Sequence, residues 1–159
     1  MTMSIYPSIY VAAAMVLLVS TAVQADERYE PIQDPVVAEE CGACHMAFQP
    51  QMLPKNSWEK IMDGLSNHFG EDASVDPKAG IRIRKYHLDN AADTSGGSGK
   101  FMRGLSKTSA PLRITETPYW AREHNEEVPQ RAWSDPKVKS KANCTACHRR
   151  AEQGDYDDD

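Results

Sequence analysis

Four cysteines form two pairs in this chain, and a histidine directly follows each pair. The two segments are Cys41-Gly42-Ala43-Cys44-His45 and Cys144-Thr145-Ala146-Cys147-His148. Two thiols three positions apart can reach the two vinyl groups on one edge of a porphyrin, and the adjacent histidine then lies under the iron as its proximal ligand. The spacing therefore predicts two covalently attached haem c groups. Thioether bonds are expected at Cys41, Cys44, Cys144 and Cys147, and iron ligation at His45 and His148.

Other uses of paired cysteines explain this pattern less well. An exported Cys-x-x-Cys pair can form a disulfide or a redox-active dithiol, and two such pairs can supply the four thiolates of a zinc site. Neither use explains a histidine after both pairs with no cysteine left over. Haem attachment is therefore the favoured interpretation of both cysteine pairs.

The distal iron ligands must come from histidine or methionine elsewhere in the chain. Met62 lies on the apolar stripe of a predicted helix, which favours a core position, and Met46 adjoins its own proximal histidine and is badly placed to reach the opposite haem face. The remaining candidates for distal ligands are His68, His87, His124, Met52 and Met102.

Helical spacing distinguishes the three histidines. His68 follows Leu65 by three residues and Ile61 by seven, which places it on a buried face where it needs a partner such as iron. His124 follows Trp120 by four residues and is the one unassigned histidine of the second half. His87 shares a face with Ile83, but its charged neighbours favour a solvated position. The spacing predicts iron ligation by His68 and His124 and leaves open which iron each one binds.

Hydrophobic periodicity and capping residues predict four helical segments. Apolar residues from Trp58 to Phe69 repeat at helical spacing, with Asn56 or Ser57 as the cap and Gly70 past the end. The cap-and-proline dipeptides Asp76-Pro77, Thr117-Pro118 and Asp135-Pro136 predict helices to about Asn90, through His124 and towards the second cysteine pair. Residues 29–37 read as an extended lead. The expected fold class is mainly α with long loops.

A polar, glycine-rich segment, Asp93 to Lys100, separates the two cysteine pairs and is expected to be a linker. The predicted organisation is an N-terminal haem c domain at 26–94, a linker or loop at 95–100 and a C-terminal haem c domain at 101–159. A loop within one domain is the alternative. Apolar side chains are sparse after residue 25, so folding is expected to depend on the haem groups.

The beginning of the chain predicts export. An apolar run from Ile5 to Val23 precedes Val23-Gln24-Ala25, whose small residues suit cleavage after Ala25, so that residues 1–25 are expected to be a signal peptide. No lysine or arginine precedes the run, which leaves a retained membrane anchor as the alternative. The formal net charge of −5 argues against a nucleic-acid partner.

Further segments resemble the small dihaem cytochromes c of bacterial periplasms, the DHC type. The likeness covers essentially all of the predicted mature chain, and its segments are Cys41 to Phe48, Asn67 to Ser74, Ile114 to Pro118 with Arg122 to His124, and Ala142 to His148. The resemblance implies a class I cytochrome c-like N-terminal domain, a smaller irregular C-terminal domain, and distal ligation by His68 and His124. It also implies electron transfer to a small, oxygen-binding monohaem cytochrome c.

Iron bound by two imidazoles has no free position for oxygen or peroxide, so single-electron transfer at low potential is the expected function. A membrane or periplasmic cytochrome is the expected donor. The alternative is a haem enzyme, a peroxidase or small reductase, with one open iron site. A sensor that loses His68 or His124 from iron is a third class.

Overall fold

The computed structural model describes residues 28–94 and 99–157. The predicted signal peptide and the centre of the predicted linker lie outside these residues. Within them the chain is mainly helical, as expected, and its β structure consists of the isolated bridges Arg28 with Asp155 and His68 with Glu71. No helix in the described ranges has the length and apolar character to cross a membrane. The α-helices are α1 (Pro35–Gly42), α2 (Lys55–Asp63), α3 (Pro77–Asp89) and α4 (Pro118–Glu127).

Helix α1 carries the first cysteine of the first pair and was not predicted. Asp34 caps it by accepting hydrogen bonds from the backbone N–H groups of Val36 and Val37, and Pro35 occupies the first turn. The expected extended lead to residue 37 was therefore too long. Asp34-Pro35 is the same cap-and-proline signal that marks α3.

Helix α2 is shorter than the predicted helix from Trp58 to Phe69. It ends at Asp63, the Gly64 N–H bonds to the carbonyls of both Lys60 and Ile61, and a separate 3-10 turn follows at Leu65–Asn67. The predicted caps, Asn56 or Ser57, are also wrong, since the cap is Pro54 and the helix starts two or three residues earlier. Its first N–H, on Lys55, is satisfied by the Asp93 carboxylate at 2.8 Å.

Helices α3 and α4 form where their cap-and-proline dipeptides predict them. Asp76 accepts from the N–H groups of Lys78 and Ala79, and Thr117 accepts from the N–H of Trp120. The third prediction, a helix opened by Asp135-Pro136, is wrong. That segment forms turns between 3-10 helices at Gln130–Ser134 and Cys144–Ala146.

The core draws on both halves of the chain. Its buried members are Met52, Leu53, Trp58, Ala91, Phe101, Ile114, Tyr119, Trp120, Ala151 and Tyr156, and Tyr29 packs against them. Gln49 is completely buried, and its amide Nε2 donates to the Ala151 carbonyl at 2.9 Å. The N–H of Tyr29 donates to the Gly154 carbonyl at 2.7 Å. The segments that follow the two cysteine pairs are thus packed together.

Candidate haem-binding sites

The first cysteine pair lies at the end of α1. Cys41 is half-buried in the last turn of the helix, whereas Cys44 and His45 are exposed beyond it. Both thiols are free. Burial, assisted by the negative charge of Glu40, raises the pKa of the Cys41 thiol to about 11. The thiol is therefore protonated at neutral pH.

His45 and His68 face each other, with ring centres 6.3 Å apart and ring planes inclined by 29°. The Nδ1 atom of His45 lies 2.7 Å from the carbonyl oxygen of Met46. If Nδ1 donates its proton there, the lone pair of Nε2 is free to bind a metal. The structure thus places the second imidazole opposite the first.

A tight turn holds His68 in this position. The N–H of His68 donates to the carbonyl of Glu71 at 2.7 Å and the N–H of Glu71 returns a bond of 3.2 Å, so that the residues between them form the turn. Phe69 adopts φ 55° and Gly70 φ 101°. A bulky side chain in this left-handed region is strained, which marks the turn as a feature that other contacts must stabilise.

Those contacts come from the second half of the chain. The Phe69 ring lies edge-on to His68 at 4.7 Å, and the Arg113 guanidinium stacks on Phe69 with its carbon 3.7 Å from the ring centre. Burial, then the charge of His45 and then that of Arg113, hold the pKa of His68 below its usual range. The imidazole is therefore in the neutral form that a metal requires.

The second cysteine pair begins in the 3-10 helix Cys144–Ala146. Cys144 is half-buried at the edge of the core and Cys147 is exposed. Burial raises the pKa of the Cys144 thiol to about 11. The arrangement repeats that of the first pair, with one sheltered and one exposed thiol.

The second pair of facing imidazoles is His124 and His148, whose ring centres lie 6.2 Å apart with planes inclined by 76°. His124 stacks on Trp120 at 4.1 Å, and its Nδ1 atom lies 3.0 Å from the Trp120 carbonyl oxygen. A cleft of about 120 Å³ contains both histidines and both cysteines. Aromatic and aliphatic side chains, including Phe101, Ile114, Tyr119, Trp133 and Tyr156, line most of the rest, and Glu123, Lys141 and Asn143 contribute polar groups.

These distances suit iron between each pair of rings. A metal ion with bonds of about 2 Å to two imidazole nitrogens separates the ring centres by about 6 Å, close to the spacing of both pairs. The Nδ1 atom of His148 is buried without a hydrogen-bond partner in the described structure. The thiols adjoin both pairs, and the second cleft is mostly apolar. The residues present therefore fit two covalently attached haem groups.

The sequence-based interpretation of His87 as a solvated residue is wrong. Its side chain is 3 % exposed, packs against the Trp58 ring at 4.3 Å and places Nδ1 2.9 Å from the Ile83 carbonyl oxygen. The charged neighbours in α3 lie on other faces of the helix. The signal was present in the sequence, because Ile83 precedes His87 by one helical turn. The structure does not bring His87 into ring contact with another histidine.

The methionines occupy varied positions. Met52 is buried in the core, with its sulfur 3.9 Å from the Tyr156 hydroxyl. Met62 is half-buried and lines an open groove of about 690 Å³ between α2 and α3. None of the candidate cysteines and histidines lines that groove. It is therefore separate from both facing histidine pairs.

Comparison with known proteins finds a matching family model and similar solved structures. Residues 37–156 match the family model described as dihaem cytochrome c. A dihaem cytochrome c from Rhodobacter sphaeroides is 46 % identical, with a TM-score of 0.75 over 80 % of this chain and 99 % of the other. A dihaem cytochrome from Shewanella baltica is 36 % identical, with a TM-score of 0.65 over 79 % and 89 %. No curated protein sequence matches the chain.

Proposed function

The chain belongs to the dihaem cytochrome c family, and we propose that it carries single electrons through two haem groups whose irons are each bound by two histidines. Family membership brings two covalently attached haem c groups and a role in electron transfer. The observation that carries the finer proposal is the pairing of imidazoles, His45 with His68 and His124 with His148, at 6.3 and 6.2 Å.

The bound haem iron supplies one-electron oxidation and reduction. The chain supplies nitrogen ligands on both sides, so that oxygen and peroxide find no vacant position. Backbone carbonyls beside Nδ1 of His45 and of His124 orient the rings and keep Nε2 available. A second imidazole in place of a thioether lowers the reduction potential, which suits an electron donor.

The finer assignments follow from the same proposal. His45 and His68 serve the haem bound through Cys41 and Cys44, and His124 and His148 serve the one bound through Cys144 and Cys147. We also propose a periplasmic location after cleavage at Ala25, with one-haem domains at 26–94 and 101–159 that share one hydrophobic core. A membrane or periplasmic cytochrome supplies electrons and an oxygen-binding monohaem cytochrome c accepts them.

Low-temperature EPR and absorption spectra of the oxidised haem-loaded protein test the ligation. We expect two low-spin signals in the native protein, with one replaced by high-spin iron in His68→Ala and the other in His124→Ala. His87→Ala is the matched control, since it also removes an imidazole, and it should keep both low-spin signals. High-spin iron in the native protein, or ready binding of carbon monoxide to it, would favour the haem enzyme instead.

A further inference from the structure

The two cysteine pairs lie in segments of opposite charge. Residues 29–54, around the first pair, contain four carboxylates and no lysine or arginine. Residues 136–150, around the second pair, contain five cations and no carboxylate. The cations are Lys137, Lys139, Lys141, Arg149 and Arg150. A chain with a modest overall charge thus has a strong local contrast between its two redox sites.

The cations lie at the surface beside the second site. Lys137, Lys139, Lys141 and Arg149 are exposed, as is Cys147, where the haem edge is attached. The Asn143 amide donates to the Val138 carbonyl at 3.0 Å, which folds the lysine-bearing loop back against the cysteine pair.

One of the five cations is paired with a carboxylate, and another lies against the aromatic rings of the second site. Arg150 forms an ion pair of 3.1 Å with Asp155, so its charge is partly offset. The Lys141 ammonium lies 5.3 Å from the Trp133 ring centre and 5.8 Å from that of Trp120, the ring that stacks on His124. Lys141 therefore places positive charge at the second cleft itself, which Glu123 also lines.

The surface of the first site has the opposite sign. Glu39 and Glu40 are exposed on α1, close to the exposed Cys44 and His45. Asp34, at the start of the same helix, is paired with Arg82 at 2.7 Å. An acidic protein approaching the molecule is consequently repelled from the first site and attracted to the second.

We propose that Lys137, Lys139, Lys141 and Arg149 form a docking surface for the acidic face of an electron-transfer protein, which exchanges electrons through the haem attached at Cys147. This inference rests on the proposed electron-transfer function and adds the charge of the partner and the haem that faces it. Charge complementarity of this kind raises the rate of encounter more than the final affinity.

Hexacyanoferrate(III) is a suitable anionic probe, because it takes one electron from a reduced haem and becomes hexacyanoferrate(II) while the haem iron becomes ferric. In rapid mixing at low salt, Lys137→Glu with Lys139→Glu should slow one of the two oxidation phases by about tenfold. A cationic oxidant such as a tris(phenanthroline)cobalt(III) complex should react faster with the same variant. Both effects should fade at 1 M salt, where the screening length falls to about 3 Å.

The matched control is Lys60→Glu with Lys78→Glu, which makes the same change in net charge at two exposed lysines of α2 and α3. It should alter either rate by less than about twofold. Equal slowing by the two double variants would show that only net charge matters and would overturn the docking surface. Lys137→Gln with Arg149→Gln provides a second, neutralising variant in case charge reversal disturbs the loop.

A glutamate decapeptide extends the test to a polypeptide. Titrated into the haem-loaded protein, it should shift the amide NMR signals of residues 137–149 in the native protein and far less in the lysine double variant. Shifts centred on residues 39–45 would overturn the proposal. Failure of the electron-transfer function itself would be recognised separately, as oxidation that remains absent with both probes at high salt.

Discussion

The guanidinium carbon of Arg113 lies 3.7 Å from the centre of the Phe69 ring, and the centre of the same ring lies 4.7 Å from that of the His68 imidazole. A residue from the second half of the chain thereby holds the strained turn that carries a proposed iron ligand of the first site. Its positive charge also disfavours further positive charge at His68, as the lowered pKa of that imidazole indicates.

Replacing Arg113 with glutamine should lower the reduction potential of one haem. Loss of a nearby positive charge stabilises the ferric form, and an effect of about 0.5–1 kcal/mol corresponds to about 20–40 mV for one electron. Spectroelectrochemical titration measures both haems at once. Arg103→Gln is the counterpart beside the second cleft, since Arg103 lies 5.8 Å from the Tyr119 ring that lines it, and it should leave the potential of the first haem unchanged. A shift of equal size at the same haem in both variants would contradict the assignment.

Replacing Tyr156 with phenylalanine should lower the free energy of unfolding by about 1–3 kcal/mol. The Tyr156 hydroxyl donates to Gln49 Oε1 at 2.6 Å, and its loss leaves a buried amide oxygen without this donor. Burial raises the pKa of Tyr156, so the hydroxyl remains a donor at neutral pH. Urea unfolding of the haem-loaded protein, followed by circular dichroism, gives the difference.

Tyr86→Phe is the matched control for this measurement. Its hydroxyl accepts a hydrogen bond of 3.0 Å from the Gln33 N–H at an exposed position, where water can replace it. The loss should stay within about 0.5 kcal/mol. An equal loss of unfolding free energy in the two phenylalanine variants would contradict a larger contribution from the buried hydrogen bond.

Stability should decrease below about pH 6.5 because of His87, whose ordinary pKa lies there. Burial lowers the pKa of His87 in the folded protein, so the unfolded chain binds more protons as the pH falls through the ordinary value. The stabilisation is thus complete above that pH and is lost towards and below the lowered folded pKa.

Unfolding midpoints measured from pH 7.5 to pH 5 isolate this effect from the carboxylates. The lowered pKa values of Asp34 and Asp72 affect stability only at still lower pH. His87→Phe should flatten the dependence between pH 7.5 and pH 5, whatever its effect on overall stability. An unchanged slope would assign the dependence to another group.

Loss of the second haem should disturb the fold more than loss of the first. Cys144 packs against the core, and the cleft beside it is lined by core side chains such as Trp120 and Tyr119. Cys144→Ala with Cys147→Ala should therefore reduce helical circular dichroism more than the same change at Cys41 and Cys44. A pyridine haemochrome assay should find one haem per chain in each variant. Equal losses of helix would argue against a structural role for the second haem.

The sequence predicted helix starts well where a capping side chain and a proline lie next to each other in the chain. Asp76-Pro77 and Thr117-Pro118 opened helices, and Asp34-Pro35 would have predicted α1 by the same rule. Asp135-Pro136 opened no helix, and Lys139 shortly after it adopts φ 59°, which no regular right-handed helix contains.

Contacts between segments that are distant in the sequence could not be predicted from the sequence alone. The cysteine pairs were evident from spacing, but the facing of His45 by His68 and of His148 by His124 depends on tertiary packing. The helical cap supplied to Lys55 by Asp93 and the Arg113 contact with Phe69 are of the same kind. Charge near His87 misled the interpretation because hydrophilic neighbours on a helix say little about the face between them.

The hydrogen bond from Gln49 to the carbonyl of Ala151 joins a residue four positions after His45 to one three positions after His148. A link this short, inside a packed core, fixes the separation of the two redox centres against thermal drift. Passage of an electron from one centre to the other then requires no diffusive search, and its rate should not change when glycerol makes the solution more viscous. Delivery to an outside molecule, which does depend on collision, should slow in proportion.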